Sequence, residues 1–458
     1  MKKAIAFILA VCLAVMLSAC KTENEGSALP SSSIPSSTAP SSSHEDSSSD
    51  KSSSSVSSSQ TTIKETVLPA IHIDTSGEEI PIDKTAINCN VTLSEEGKTL
   101  SAPLNATIRV RGNGSLNVAK KFGKYPYKIK FSEKINLFGI GDGKSKDWVL
   151  LANRDDRTML RNYAAKTLGK LLDGITWSPA VCFVDLYIGG DYAGVYELSQ
   201  QVEVSSHKLP VNDSLTLGEN GFLAELDYYA KTPDEDDITF TVGKSYYTVK
   251  SRVQNDSQLT FIKEYITEVE EAIFAHDIQK LSKLVDMDSL VDMYLIQEFS
   301  KNIDCGFSSF YMYKNPDEKL YFSAPWDFDL AFGNDRRLDD GSAKNLYIAT
   351  GRKGFIQNHL WYMELWKTDS FKALAAARWK ELSGKEIPQL ISLVAHKAEE
   401  LSIPMERNFM VWPSFGERLH HEPDHLLEFL TYKEHADHLI SWMKTRKAFL
   451  DNAFKDIN

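Results

Sequence analysis

Phe322-Ser323-Ala324-Pro325-Trp326-Asp327-Phe328-Asp329-Leu330-Ala331-Phe332-Gly333-Asn334 is the stretch around which this chain is organised. Its two carboxylates, Asp327 and Asp329, stand on alternate positions of a segment that reads as extended, so they face one side of it. Like charges on one side repel unless a cation or a polar partner lies between them. The aromatic and apolar neighbours imply partial burial, and buried carboxylates need partners. Spacing alone allows a structural Asp pair bonded to Arg or backbone N–H. It equally allows a hard-cation site, because Mg2+ and Mn2+ prefer oxygen ligands.

Just upstream, Phe310-Tyr311-Met312-Tyr313-Lys314 and Lys319-Leu320-Tyr321-Phe322 read as a strand pair joined by the turn Asn315-Pro316-Asp317-Glu318. Before them, the helix pattern Ser289–Phe299 runs out at Ser300-Lys301-Asn302-Ile303-Asp304-Cys305-Gly306. A hairpin returns the chain beside its start, so Asp304 and Asp327 can reach one site. Further upstream the chain alternates in strand fashion. Ala70-Ile71-His72-Ile73-Asp74, Asn90-Val91-Thr92-Leu93, Thr107-Ile108-Arg109-Val110-Arg111 and Tyr125–Phe131 are strands, and Gly112-Asn113-Gly114-Ser115 reads as a tight turn. A glycine turn followed by a strand lysine, Lys128 or Lys130, suits phosphate: backbone N–H groups approach it and the lysine adds charge. An exposed basic hairpin explains the same residues. Gly143-Lys144-Ser145 mimics the end of a Walker A loop, but the required glycine is Phe138, and the reading is rejected. Lys146–Asn153 is a strand. A helix then starts at Arg154-Asp155-Asp156-Arg157 and runs to Gly169, with Asp155 or Asp156 as its cap and Arg157 and Arg161 on one face, suited to acidic partners or to phosphate. Val181–Ile188, Gly189-Gly190-Asp191 and Tyr192–Leu198 form a hairpin. After Gly333 only helices and loops are expected, with Trp361, Trp366, Trp379, Trp412 and Trp442 as helix-packing core.

The ends bound the biology. Lys2, Lys3 and an apolar run from Ala4 to Met16 lead into Leu17-Ser18-Ala19-Cys20, which resembles a bacterial lipobox. It implies a signal peptide over 1–19, lipid on Cys20 and a protein tethered to the cell membrane on its extracytoplasmic face. Residues 20–62 are Ser-rich, too poor in large apolar side chains to offset their ordering entropy, and read as a disordered linker. The net charge of −12 argues against nucleic acid as a partner. Cys89, Cys182 and Cys305 are too few to frame a disulfide fold.

A β-rich part with a glycine turn and a strand lysine, followed by a helical part with two spaced aspartates, resembles the layout of kinase-like folds. His-Arg-Asp and Asp-Phe-Gly are missing, and Trp326-Asp327-Phe328-Asp329 occupies the place of the latter. Several stretches in order are similar to the CotH family of atypical secretory protein kinases of the spore-coat type. They are Arg111–Ser115, Tyr125–Phe131, Leu137-Phe138-Gly139, Lys146–Asn153, Asp156–Asn162, Tyr192–Tyr196, Asn302-Ile303-Asp304 and Pro325–Asn334. The resemblance implies an α+β, two-lobed, atypical protein-kinase-like fold. Its β-rich N-terminal lobe would span 63–205, its C-terminal lobe with the catalytic segments 206–340, and a helical extension 341–458. It implies transfer of the ATP γ-phosphate, with Mg2+ or Mn2+, to Ser/Thr of surface or spore-coat-type proteins outside the cytoplasm. By position, Asp304 and Asp327 are catalytic, Asp327 and Asp329 hold metal, and Lys128, Lys130, Arg111, Asn113, Gly114 and Arg161 bind ATP phosphates. Gln200 and Gln201 fall where adenine would meet a hinge. Many relatives carry an Asn shortly after the loop aspartate where this chain has Ser308-Ser309, so the resemblance assigns no second metal ligand at that position. A non-catalytic kinase-like scaffold of the cell surface and a metal-dependent sugar transferase or hydrolase are the competing readings.

Overall fold

Alternating apolar residues close the N-terminal part into a barrel. Ala106, Ile108 and Val110, then Tyr127, Ile129 and Phe131, then Trp148 and Leu150 are buried from three successive strands and share one core, as a period of two requires. The computed structural model describes residues 67–214, 220–234 and 236–457. The expected signal peptide, Cys20 and the whole of the Ser-rich linker lie outside them.

The elements of the barrel region are β1 (Ala70–Asp74), β2 (Ile87–Glu95), β3 (Lys98–Thr99), β4 (Leu104–Val110), α1 (Gly114–Phe122), β5 (Tyr127–Ile135), β6 (Ser145–Leu151), α2 (Arg161–Leu171), β7 (Val181–Ile188) and β8 (Asp191–Gln200). The sheet order is β1-β7-β8-β6-β5-β4-β2-β3, and β1 also pairs with β2. Seven strands therefore close on themselves and β3 extends the β2 edge. The β1–β7 pair is parallel and the remaining pairs are antiparallel. Closure removes the free edges that an open sheet would expose.

The following elements are β9 (Phe222–Leu226), β10 (Thr239–Val242), β11 (Ser245–Val249), α3 (Asp256–Phe274), α4 (Ile278–Leu284), α5 (Met287–Ser300), β12 (Phe310–Lys314), β13 (Leu320–Phe322), α6 (Leu360–Leu365), α7 (Asp369–Gly384), α8 (Glu386–Val411) and α9 (Tyr432–Ala453). Five of them form an antiparallel sheet in the order β10-β11-β9-β12-β13. The sequence reading found β12 and β13 and missed the β10–β11 hairpin. Every residue of α5 from Ser289 to Ser300 is buried, Asp292, Gln297 and Glu298 included, which puts this helix at the centre of the core. Arg446 of α9 is fully buried against it. Its Nη2 donates to Glu298 Oε1 at 2.7 Å, and the same carboxylate accepts the N–H groups of Tyr347 and Ala349 at 2.9 Å each. Trp361, Trp379 and Trp442 are core residues, as expected; Trp366 packs against that core half-buried, and Trp412, also half-buried, instead donates to the Ala193 carbonyl of the barrel at 2.8 Å. The fold class is α+β. Cys89, Cys182 and Cys305 are all free.

Three local expectations are corrected. Gly112-Asn113-Gly114-Ser115 does not make a tight turn. Gly112 takes φ +88°, and Asn113 opens α1, whose Leu116, Val118 and Ala119 are buried. The β4–β5 hairpin therefore carries a helix in its connection. The helix expected from Arg154 begins only at Arg161, because Asn153 and Met159 adopt positive φ. Asp156 organises that lead-in by accepting the N–H groups of Thr158 and Arg161, at 2.9 Å each. The Asp327 segment is not a strand. Pairing ends at Phe322, and Ala324 (φ +63°), Asp327 (+67°), Phe332 (+49°) and Gly333 (+78°) bend the chain. Asp327 and Asp329 are thus neighbours across a bend rather than alternate residues of a strand.

Candidate active site

The lead-in to α2 builds the wall of a cleft. Asn162 on its first turn accepts the Phe328 N–H at 2.7 Å, clamping the backbone between the two aspartates of the Asp327 segment. Asn162 Nδ2 donates to Asn153 Oδ1 at 3.2 Å, and Asn153 Nδ2 donates to Glu197 Oε2 at 2.7 Å. The other oxygen of Glu197, on β8, takes the Lys166 ammonium of α2 at 2.6 Å, and both side chains are within 1% of complete burial. Lys166 also donates to Ser199 Oγ at 3.1 Å, and its Nζ lies 4.4 Å from the centre of the Trp326 ring. Burial pulls its pKa down, against the pull of Glu197 and, more weakly, of Asp327. A polar chain thus runs from a barrel strand through Lys166, Glu197, Asn153 and Asn162 to the aspartate segment.

A second wall comes from the turn after α5. The helix ends with Lys301 in the left-handed conformation, its Nζ donating to the carbonyls of Ser342 and Lys344 at 2.9 and 2.7 Å. Asn302 caps the short 3-10 turn Ile303–Gly306 by accepting the Asp304 N–H at 3.1 Å. The β12–β13 hairpin brings the chain back, as expected, and Asp304 and Asp327 line the same cleft, about 420 Å3 in volume, with Asp155 and Asp329. Burial raises the Asp304 carboxyl to about 7, helped by Asp327 and opposed by Arg337. Burial likewise raises Asp155 to about 7, with Asp327 adding to it. Asp327 is raised by burial against Arg111, Ser309 and Lys166; Asp329 is raised further, by burial and then by Asp327. Solvent still reaches Asp327 through the cleft; the desolvation comes from the protein packed behind it. Four carboxylates therefore face one another with few cations among them.

The glycine stretch supplies the lip. Arg111, Asn113 and Gly114 line the cleft, and the Arg111 guanidinium lies 5.7 Å from the Trp326 ring centre. Gly112 holds φ +88°, a conformation that favours glycine, and a Cβ there would also press on the Ser115 hydroxyl. Gln201 lines the same space with a buried Oε1 that has no partner, whereas Gln200 turns away and accepts the Ala180 N–H at 3.1 Å. Ser309, where the relatives' Asn was expected, is 3.4 Å through Oγ from Asp327 Oδ2.

Three proposed phosphate ligands are placed elsewhere. Lys128 does not line the cleft and pairs with Asp147 at 2.7 Å. Lys130 is exposed on the same strand. Arg161 is buried, bonded to Asp156 and to the Ala331 carbonyl, and Arg157 is tied to Glu422 and Ser414. Lys166, which the sequence reading passed over, does not line the cleft either, but its charge acts on Asp327 from behind the Trp326 ring. The sequence reading also passed over Asp155, Asn153, Asn162, Glu197 and, from the C-terminal part, His420, whose Nδ1 is 3.6 Å from Asp155 Oδ2.

The donor set fits a hard divalent cation. Asp327 and Asp329 are adjacent oxygen donors, and Asp155 Oδ1 is buried with no partner in the same cleft. Among the described residues no three His, Cys, Asp or Glu side chains are gathered to hold an ion on their own. Mg2+ bound for phosphoryl transfer uses one or two carboxylates and completes its shell with phosphate and water, so two donors suffice.

The model of the CotH kinase protein family matches residues 108–450, most of the chain. No curated protein matches it.

Proposed function

Because the chain belongs to the CotH kinase family, we propose that it is an atypical Ser/Thr protein kinase that transfers the γ-phosphate of ATP to proteins outside the cytoplasm, held at the membrane by lipid on Cys20. In this reading the barrel serves as the N-terminal lobe and the α5–β13 region, with the later helices, as the C-terminal lobe. The observation that carries it is the meeting of Asp304, Asp327 and Asp329 in one cleft, with the buried Lys166–Glu197 pair behind its wall, where the lysine charge still acts on Asp327.

Asp304 sits in a capped turn with its carboxyl raised to about 7, near the pKa that suits a base at neutral pH. It takes the proton of the acceptor Ser or Thr hydroxyl as that oxygen bonds to the γ-phosphorus and the bond to the ADP oxygen breaks. Arg111 on the cleft meets the phosphate charge, Lys166 adds its charge from behind the wall, and the Gly112–Ser115 lip covers it. Trp326 and the unpartnered Gln201 Oε1 offer a stacking face and an acceptor to adenine. Asp327 and Asp329 would hold Mg2+ or Mn2+, which supplies charge neutralisation for the transferring phosphoryl group.

The test is ATP binding and transfer by the full chain beside Asp304→Asn. The account expects the variant to bind ATP with little change and to lose transfer by roughly 100-fold or more, the scale of a lost general base. Undiminished transfer by Asp304→Asn removes the assigned role.

A further inference from the structure

The geometry points to a transition-metal site outside the cleft: we propose that His425 and His438 bind one Zn2+ through their Nε2 atoms, with Asp340 orienting the His425 ring. His425 stands on the 3-10 turn Asp424–Glu428 and His438 on α9. Their Nε2 atoms are 3.4 Å apart. Two nitrogens on a tetrahedral zinc at about 2.0–2.1 Å would be separated by about 3.3–3.4 Å, so the pair is already at ligand spacing. The second observation is the carboxylate behind the first ring. Asp340 Oδ2 is 3.7 Å from His425 Nδ1, and a ligating imidazole ordinarily turns its other nitrogen to such a group. Asp340 Oδ1 also accepts the Asp424 N–H at 3.3 Å, which fixes the carboxylate against the turn that carries His425.

Imidazole nitrogen suits zinc, copper and nickel better than magnesium or calcium, so this site and the aspartates of the cleft would take different ions. No third His, Cys, Asp or Glu joins the pair among the described residues, so water completes the shell and exchange with solution is open. Both rings are partly exposed. The ion would pin the Asp339–Gly341 turn, which follows the aspartate segment, to α9.

The experiment is calorimetric titration of the full chain with Zn2+ in a buffer free of chelators, beside His425→Ala, His438→Ala, Asp340→Asn and Asp327→Ala, each checked for folding by circular dichroism. We expect one zinc bound by the parent and by Asp327→Ala, which separates this site from the cleft. Loss of that zinc is expected in both His variants, with a weakening of roughly 10- to 100-fold in Asp340→Asn. Should His438→Ala fail to fold, His438→Gln replaces it. Full zinc affinity in either His variant, or no uptake by the parent, overturns the proposal and leaves a hydrogen bond between two imidazoles.

Discussion

Replacing Lys166 separates this account from one built on the strand lysine. The Lys166–Glu197 pair is 2.6 Å long and essentially sealed from water. Truncating one partner of such a pair leaves a buried charge and costs roughly 3–5 kcal/mol; Glu197 would keep only its bond from Asn153, at 2.7 Å. The Lys128–Asp147 pair is similar in length but about one-fifth exposed, where an ion pair contributes about 0–1 kcal/mol. Denaturant unfolding of Lys166→Ala should therefore show several times the loss seen in Lys128→Ala. The double variant Lys166→Met, Glu197→Gln removes both charges and should recover most of that stability, since an apolar replacement of a buried pair is often neutral. Phosphate transfer by the double variant should still fall by roughly 100- to 1,000-fold, as for a lost preorganised donor, while Lys128→Ala stays close to the parent. Loss of transfer in Lys128→Ala, with near-parental transfer in the folded double variant, would refute the assignment.

Two further outcomes follow from single contacts. Asn162→Ala strands the buried Phe328 N–H, which should cost roughly 1–3 kcal/mol; by loosening the Asp327 segment it should lower kcat more than it raises KM for ATP, read from steady-state kinetics. His359 is buried with neither ring nitrogen partnered, and burial pushes its pKa down to about 3. The unfolded chain binds this proton below about pH 6.5 and the folded chain does not, so the group's contribution is lost as pH falls. Between pH 6.5 and 5 the loss is about 2 kcal/mol. His359→Leu should remove that part of the pH slope, so its stability relative to the parent improves by about this amount from pH 8 to pH 5; an unchanged difference would contradict it.

Much of the scaffold was legible because it is local. Gly189-Gly190-Asp191 announced the β7–β8 hairpin, and the turn at Asn315–Glu318 announced the one that brings Asp304 back to Asp327. The site's cation was not legible. Lys166 stands in Ala164-Ala165-Lys166-Thr167-Leu168, where a helix lysine reads as exposed, and Glu197 sits between Tyr196 and Leu198, where strand alternation reads as outward-facing. Both are buried because each satisfies the other across 31 residues, and no periodicity encodes such a pairing. The bend at Asp327 was hidden for the same reason: its positive φ is held by Asn162 from a distant helix. Asn113-Gly114 carries a hairpin signal that the buried face of α1 overrides. Asp155 looked like a helix cap, and only the returning segment around His420 and Asp327 shows that it faces the cleft.

The most direct test of the central claim is phosphate transfer from ATP by the full chain with Mg2+ or Mn2+, beside Asp327→Ala, with a generic Ser/Thr-rich protein as acceptor. The account predicts metal-dependent phosphoserine or phosphothreonine formed by the parent and abolished in the variant. Equal transfer by both would contradict the assignment of Asp327, and neither metal-dependent ATP binding nor transfer by the parent would contradict the kinase reading itself.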